Sequence, residues 1–409
     1  MTRVMVTLTN PDQPLAGSYV PSTFYRRNAL GFIGMTTIAR RRSTSAILVG
    51  LLCAVAAFAD EADSYNHVHT DSHPSSEFVL FASAEAHSFS TPASANQLNE
   101  DANAIGDAVF AINRGRFRLF GEYQLSNQEH DLERMQVGME VVPDTVVWIG
   151  RFHQPASAWN TEHHHGRYLQ TAITRPSIEL WEDEQGIIPQ HISGLLVDSR
   201  RPIGTNAGIQ ISAGAGLGTV VESTGLAEFD LLNPHTDGRR LSITGRIAYL
   251  PDYVGTTIFG LLFAHNDMPV RDGHTAVLLQ ANDVRQDLYG AFADWTDGPW
   301  QLHAALYDVA MELQNPGSSR AESFVAGYAQ LERQLPHRLT AYVREENSSD
   351  AARSVYVQVN HPDFQLRRAT LGLRWDFRRR QAVTAEFTHG DSVRADQDAF
   401  RLQWSAALP

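Results

Sequence analysis

The chain has 409 residues, a formal net charge of −13, no lysine and a single cysteine. This acidic balance argues against nucleic acid as a partner, because phosphate contacts require an excess of positive charge. No run of about twenty apolar residues occurs, so the sequence predicts no helix that spans a bilayer.

The first recognisable element in chain order is a secretory signal peptide at residues 35–59. The basic cluster 40–42 precedes the apolar run 46–58, and the small residues around Ala59 are typical of a cleavage site. We therefore expect translation to start at Met35 and export from the cytosol to follow.

The signal divides the rest of the chain. Residues 1–34 are expected to be an artefactual extension, since signal peptides begin at the N-terminus. Residues 60–76 are polar and rich in histidine, which predicts a disordered mature N-terminus. Residues 77–409 are expected to form one domain.

This domain shows a uniform pattern of short alternating runs separated by turn-forming residues. In the last run, Phe400, Leu402 and Trp404 share one face while Arg401 and Gln403 share the other. Such a segment is typical of a transmembrane β-strand, although an edge strand of a soluble sheet has the same pattern.

The extent of the pattern favours the membrane alternative. It continues over roughly 330 residues without a domain break, which is unusual for a sandwich and suits a barrel of about 16 strands, with 14–18 as the range. Long connections at 153–191, 222–239 and 346–365 are expected at one end, opposite short turns. The predicted fold is all-β, a transmembrane antiparallel barrel with lipid outside and water inside.

Arginine and glutamate recur at mid-strand positions on the polar faces. Opposed charges inside a water-filled pore would screen solutes by charge and size, whereas a purely structural alternative is that they pair across neighbouring strands. The residues expected to line the pore are Arg118, Glu122, Arg134, Glu140, Arg246, Arg344, Arg374, Glu386 and Arg401.

Residues 150–194 carry a more specific pattern. The stretch reads G-R-F-H-Q-P, then W-N, H-H-H-G-R-Y-L-Q, T-R-P and G-I-I-P. It resembles porin-like outer-membrane proteins of Gram-negative bacteria, which are loosely similar to the phosphate-selective porins. The absence of lysine and the ending Leu408-Pro409, in place of a terminal aromatic residue, depart from that pattern.

The resemblance implies a barrel in the outer membrane that conducts small solutes or ions by passive diffusion. Its implied partners are outer-membrane lipid, lipopolysaccharide and the barrel-assembly machinery, and it leaves open whether three copies associate. Residues 153–191 are expected to enter the lumen or cap its mouth. The residues of interest in this loop are Trp159, Asn160, His163, His164, His165, Arg167, Arg175 and Asp183.

Two alternatives remain at this loop. A metal-handling channel would use His163, His164 and His165 to hold zinc or another divalent ion, although adjacent histidines cannot all point at one ion. The second alternative is a rim hydrolase that uses Ser157, Asp183 and His163. The sequence lacks G-x-S-x-G, P-loop and H-E-x-x-H motifs, so we expect no enzymatic activity and no cofactor.

Overall fold

A computed structural model of the chain describes residues 75–89, 102–126, 130–163, 166–182, 186–223, 225–229, 231 and 238–408. The predicted extension, the predicted signal peptide and residues 60–74 lie outside these ranges. The first strand begins at Ser75, two residues before the predicted start of the barrel.

The described residues form a closed antiparallel barrel of 16 strands, which confirms the predicted fold. The first and last strands pair directly, with Leu80 opposite Leu408 and Phe89 opposite Ala399. Closure leaves no row of unpaired amides at a sheet edge, which in hydrocarbon would cost several kcal/mol per group. The barrel strands are β1 (Ser75–Phe89), β2 (Ala102–Arg114), β3 (Phe117–Ser126), β4 (His130–Val142), β5 (Thr145–His153), β6 (His191–Ile203), β7 (Ala207–Leu217), β10 (Leu241–Leu250), β11 (Ile258–Pro269), β12 (Asp283–Asp297), β13 (Trp300–Asn315), β14 (Ser318–Leu335), β15 (Leu339–Asn347), β16 (Gln365–Arg378), β17 (Gln381–Ser392) and β18 (Asp396–Leu408).

The connections hold the remaining elements. Strands β8 (Val220–Glu222) and β9 (Gly225–Ala227) form a small hairpin between β7 and β10. The helices are α1 (Ala158–His163), α2 (Gly273–Leu279) and α3 (Val355–Asn360), and single 3-10 turns occupy Arg167–Leu169, Ser177–Glu179, Pro336–Arg338 and Ser349–Arg353. Among the residues described, no helix has the length and apolar character needed to cross a membrane.

Connection length differs between the two ends of the barrel. Tight turns such as 115–116, 143–144 and 298–299 join strands at one end, here called the short-turn end. The connection 154–190 and the connections that carry β8, α2 and α3 lie at the other, long-loop end. The prediction of long loops on one side is therefore confirmed.

Side chains alternate between an exposed apolar face and a buried face along many of the strands, most regularly on β10–β17. Phe117, Ile149, Leu261 and Leu371 are 59–63% exposed on the outside, while their chain neighbours on many strands are buried inside. A continuous outer surface of large apolar side chains has a favourable environment in lipid and an unfavourable one in water.

Three glycines allow β5, β6 and β7 to approach closely near the long-loop end. Gly150 lies opposite Gly194, which in turn lies opposite Gly216. Gly150 has a φ of 138°, and a Cβ there would lie 1.9 Å from the carbonyl oxygen of Met135. Only glycine adopts this conformation without strain. The three glycines therefore shape the part of the wall where the 154–190 connection begins.

Candidate functional site

The connection 154–190, here called the constriction loop, folds into the barrel instead of extending away from it. Its two ends are joined by a hydrogen bond from the Gln154 amide to the Gln190 carbonyl, 2.7 Å long. Between these ends, Trp159 is 2% exposed and Ile187 is 1% exposed. The loop therefore lies in the lumen, and its contacts with the wall show where it runs.

The loop contacts wall strands around the barrel from β10 to β16. Glu162 pairs with Arg246 on β10 at 2.5 Å, and the Ala158 amide donates to the Tyr307 hydroxyl on β13 at 3.1 Å. Farther along the loop, the carbonyl of Gln170 accepts from Arg374 on β16 at 2.5 Å. Contacts with strands that lie far apart around the barrel make the loop a partition across the lumen.

Glu179 is the central anchor of this partition. Its Oε1 accepts hydrogen bonds from Tyr307 at 2.5 Å and Tyr328 at 3.0 Å, and its Oε2 accepts from the Trp159 amide at 2.9 Å and from the Ser157 hydroxyl. Burial raises the pKa of the Glu179 carboxyl above its usual value, against the lowering effect of these donors. The two tyrosines hold the tip of the loop against β13 and β14, while Trp159 and Ser157 bind the same carboxylate from within the loop.

A second group of anchors lies on β15 and β17. The carboxylate of Glu386 accepts from the Ile173 amide at 2.9 Å and from the Thr174 hydroxyl at 2.7 Å. Arg344 donates to the Thr174 carbonyl at 2.8 Å, and Glu346 accepts from the Ser177 hydroxyl at 2.6 Å. These wall side chains bind backbone groups and hydroxyls of the loop, so their role is to hold it in place.

The half of the lumen bounded by β11–β14 is apolar and packed. Ile178, Ile187 and Ile188 of the constriction loop belong to one buried core together with residues on the inner face of the wall. Leu279 on α2 and Val357 on α3 extend this core at the long-loop end. The wall residues in it include Met268, Leu288, Val309, Met311 and Phe324.

A water-accessible cavity occupies the other half, along β3–β7. Its volume is about 590 Å³, and it extends from the short-turn end, at Asp144 and Val254, to Pro155 and Thr161 of the constriction loop. Among the described residues that line it, three guanidinium groups face three carboxylates. These charged residues are Arg118, Arg134, Arg200, Glu140, Asp144 and Asp198.

The nine residues expected to line the pore are separated by the structure into two sets. Arg118 pairs with Glu140 at 2.7 Å and Arg134 with Glu122 at 2.7 Å beside the cavity, as the cross-strand alternative anticipated. Arg401 donates to the Thr388 hydroxyl at 3.0 Å. The remaining residues lie on β10 and β15–β17 and contact the constriction loop: Arg246, Arg344, Arg374 and Glu386.

The described residues of the predicted cap loop serve mainly to hold it together. Asn160 donates to the Glu179 carbonyl at 2.8 Å, and Arg167 donates to the Ile173 carbonyl at 3.1 Å. The guanidinium of Arg175 lies 4.6 Å from the centre of the Trp181 ring. Each contact joins two parts of the loop, which makes it a preformed unit.

The histidine cluster is described in part. His163 lies at the end of α1, with its ring 4.7 Å from that of His303, while His164, His165 and Asp183 lie outside the described residues. Burial, and then the neighbouring His303, lower the pKa of His163 well below its usual value. The metal alternative at His163–His165 stays a prediction.

The hydrolase alternative required Ser157 as a nucleophile next to a base. Its hydroxyl donates to Glu179, while His163 contacts Trp159 and His303. A serine whose proton is held by a buried structural carboxylate differs from one activated by histidine.

The residues that anchor the constriction loop to the far wall were not predicted from the sequence. Glu179, Tyr307 and Tyr328 lie in unremarkable local contexts, and their significance comes from meeting across the barrel. One signal was present: on β13, Tyr307, Val309 and Met311 alternate with the polar face, so that the apolar side points inward. A strand with apolar residues facing the lumen indicates something packed inside.

Comparison with known proteins supports the fold. No protein-family model matches the chain, and no curated protein sequence is similar to it. Among solved structures, an anion-selective porin from Comamonas acidovorans has a TM-score of 0.54 at 11% identity, covering 82% of this chain and 100% of that one. The outer-membrane channel DcaP of Acinetobacter baumannii has a TM-score of 0.52 at 10% identity, covering 83% and 99%.

A third similar structure is OmpF of Salmonella typhi in complex with daunomycin, with a TM-score of 0.51 at 12% identity, covering 81% of this chain and 97% of that one. Identities this low carry information on the fold alone. The 16-strand closed barrel of this chain thus shares its fold with these outer-membrane proteins.

Proposed function

We propose that the protein is an outer-membrane porin through which small solutes diffuse passively. The observation that carries the proposal is the constriction loop, which is pinned across the lumen at Glu179 and leaves a charged, water-accessible cavity along β3–β7. A narrowed aqueous path inside a closed barrel admits solutes by size without chemistry.

The charges at the cavity support weak ion selectivity. Three guanidinium groups and three carboxylates balance among the described lining residues, and the Arg118–Glu140 pair neutralises itself at 2.7 Å. A lumen without a dominant sign of charge discriminates ions less than a ring of one sign would. We therefore expect small polar solutes and both ion signs to pass.

The outer surface of the barrel suits a lipid environment. Large apolar side chains such as Phe117 and Leu371 are more than half exposed, at 63% and 59%. The paired terminal strands satisfy backbone groups that lipid cannot. Outer-membrane lipid, lipopolysaccharide and the barrel-assembly machinery are the partners that this proposal entails.

The test is reconstitution of the full chain into planar bilayers and into liposomes. We expect ohmic single-channel conductance in KCl, and liposome swelling that falls as the size of the added sugar rises. A variant that lacks the loop tip, residues 170–182, should conduct more than the parent barrel. Folded protein that inserts but gives neither conductance nor swelling would overturn the proposal.

A further inference from the structure

Two histidines and a glutamate converge where the constriction loop joins the wall. His153 ends β5, His191 begins β6, and the two are cross-strand partners with ring centres 5.0 Å apart. Glu133 on β4 places its Oε2 3.1 Å from His191 Nε2. One ligand atom from each of the three residues lies within 4.8 Å of the others. We call Glu133, His153 and His191 the neck cluster.

Carboxylates on the far side of the His191 ring can accept a proton from its Nδ1. Its Nδ1 lies 2.7 Å from Glu228 Oε2 and 3.2 Å from Glu182 Oε2. A proton on Nδ1 donates to these carboxylates, which leaves the lone pair of Nε2 directed at Glu133. A carboxylate that orients a histidine in this way is the usual second layer of a metal site, and it raises the basicity of the ligand nitrogen.

This arrangement requires a cation between His191 and Glu133. A lone pair on Nε2 and a carboxylate oxygen 3.1 Å apart repel each other unless a proton or a metal ion lies between them. Ligand atoms bound to one tetrahedral zinc ion at about 2.0–2.1 Å are separated by a little over 3 Å, which matches this distance. The ligand atom of His153 lies within 4.8 Å of the other two and would move toward them to complete the set.

The charge around the neck cluster favours a divalent ion. Asp131 and Glu228 both pair with Arg151, at 2.9 Å and 2.5 Å, while Glu133 and Glu182 meet His191. His191 is 5% exposed, so these charges lie largely away from bulk water. Excess carboxylate in a poorly solvated place is stabilised by a bound cation.

We propose that the neck cluster binds one divalent transition-metal ion through His153, His191 and Glu133, with Zn²⁺ as the ion of best fit. Two imidazoles and one carboxylate are borderline-soft ligands that suit Zn²⁺, Ni²⁺ and Co²⁺ and suit Ca²⁺ and Mg²⁺ poorly. Because the ligands come from β4 and from both ends of the constriction loop, the ion would clamp the neck of the loop. The cavity reaches His153, which gives the ion an entry path.

The test uses the full chain, refolded in detergent and stripped with a chelator. Titration with ZnCl₂ in a calorimeter should give one equivalent of bound ion. Titration with CoCl₂ should give visible d–d absorption and quench the fluorescence of Trp181, whose ring centre lies 5.3 Å from that of His191. The quenching should disappear in Trp181→Phe, while the d–d absorption remains.

The ligand variants are His153→Gln, His191→Gln and Glu133→Gln, each checked for folding by its heat-modifiable migration on gels. We expect each to weaken Zn²⁺ binding by at least about tenfold, since even second-layer changes cost 10–100-fold in affinity. His265→Gln is the matched control, because His265 also has a carboxylate partner, Asp287 at 2.6 Å, but lies outside the neck cluster. His163→Gln tests the histidine on α1 and should bind as the parent does.

Parent protein that binds no Zn²⁺ would overturn the proposal and show that His191 is an imidazolium held by a proton. Equal affinity in the parent and in His191→Gln would also overturn it, as would loss of binding in His163→Gln alone. Conductance measured on the same preparations keeps the two proposals apart: a conducting barrel without a zinc site contradicts this one only.

Discussion

The hydroxyl of Tyr307 on β13 donates a 2.5 Å hydrogen bond to Glu179 at the tip of a loop whose ends lie on β5 and β6. Tyr328 on β14 donates to the same oxygen at 3.0 Å. These two bonds tie the constriction loop to the far wall of the barrel.

Replacing Glu179 by alanine should release the tip of the loop. Each tyrosine hydroxyl left without its acceptor costs about 1–3 kcal/mol in a buried place. The free energy that holds the loop then falls, and single-channel conductance in planar bilayers should rise. Glu345→Ala, an exposed position on β15, should conduct as the parent does. Unchanged conductance in folded Glu179→Ala would contradict the anchoring role.

Glu346→Gln should destabilise the barrel. Glu346 Oε1 lies 2.8 Å from Arg344 Nε and 2.7 Å from an Arg368 guanidinium nitrogen, and all three side chains are buried. Neutralising the shared carboxylate leaves two buried positive charges uncompensated. We therefore expect the free energy of unfolding to fall by about 3–5 kcal/mol. Urea unfolding in lipid vesicles measures it.

The adjacent residue provides the control for this change. Glu345 is exposed on the opposite face of the same strand, so Glu345→Gln should shift the free energy of unfolding by no more than about 0.5 kcal/mol. Equal unfolding midpoints for the two variants would show that Glu346 does not hold the Arg344–Arg368 pair.

Replacing Arg118 and replacing Glu140 should shift the ion selectivity of the pore in opposite directions. Arg118→Gln leaves the Glu140 carboxylate unpaired beside the cavity, so the pore should favour cations, whereas Glu140→Gln should favour anions. The zero-current potential in a KCl gradient reports the sign. Arg333→Gln, exposed over Trp300 on the outside, should leave the potential unchanged. If the zero-current potential shifted in the same direction in Arg118→Gln and Glu140→Gln, these two residues would not lie beside the ion path.

Acid should loosen the constriction loop through His163. Burial, and then His303, depress its pKa below the ordinary value of 6.5. A base with a depressed folded pKa contributes stability that is present above the unfolded pKa and is lost as the pH falls through the folded pKa. Conductance should therefore rise as the pH is lowered from neutral to below about 6.

This pH effect has its own control. His163→Gln removes the titrating group and should reduce the acid-induced rise, while His389→Gln, paired with Asp398 at an exposed site, should retain it. An identical pH response in His163→Gln and the parent would assign the effect to other groups.

The architecture was predictable from the sequence because period-two alternation is a local property. Phe400, Leu402 and Trp404 on one side of a strand, with Arg401 and Gln403 on the other, require two different environments at any register. Repeated over the domain and combined with unequal connections, this pattern indicated a barrel of about 16 strands. The sequence also predicted that residues 153–191 enter the lumen or cap its mouth.

The function of individual charged residues was decided by tertiary structure. Arg118 and Arg344 both lie on the polar faces of alternating runs in sequence, yet one lines the cavity and the other donates to the Thr174 carbonyl. Their difference comes from which side of the lumen the constriction loop fills. That choice depends on contacts between residues more than a hundred positions apart, such as Glu179 and Tyr307, for which local periodicity contains no information. The sequence by itself thus determined the two-sided alternation of the strands, and the packing of the loop determined which part of the interior is apolar and filled and which part remains open.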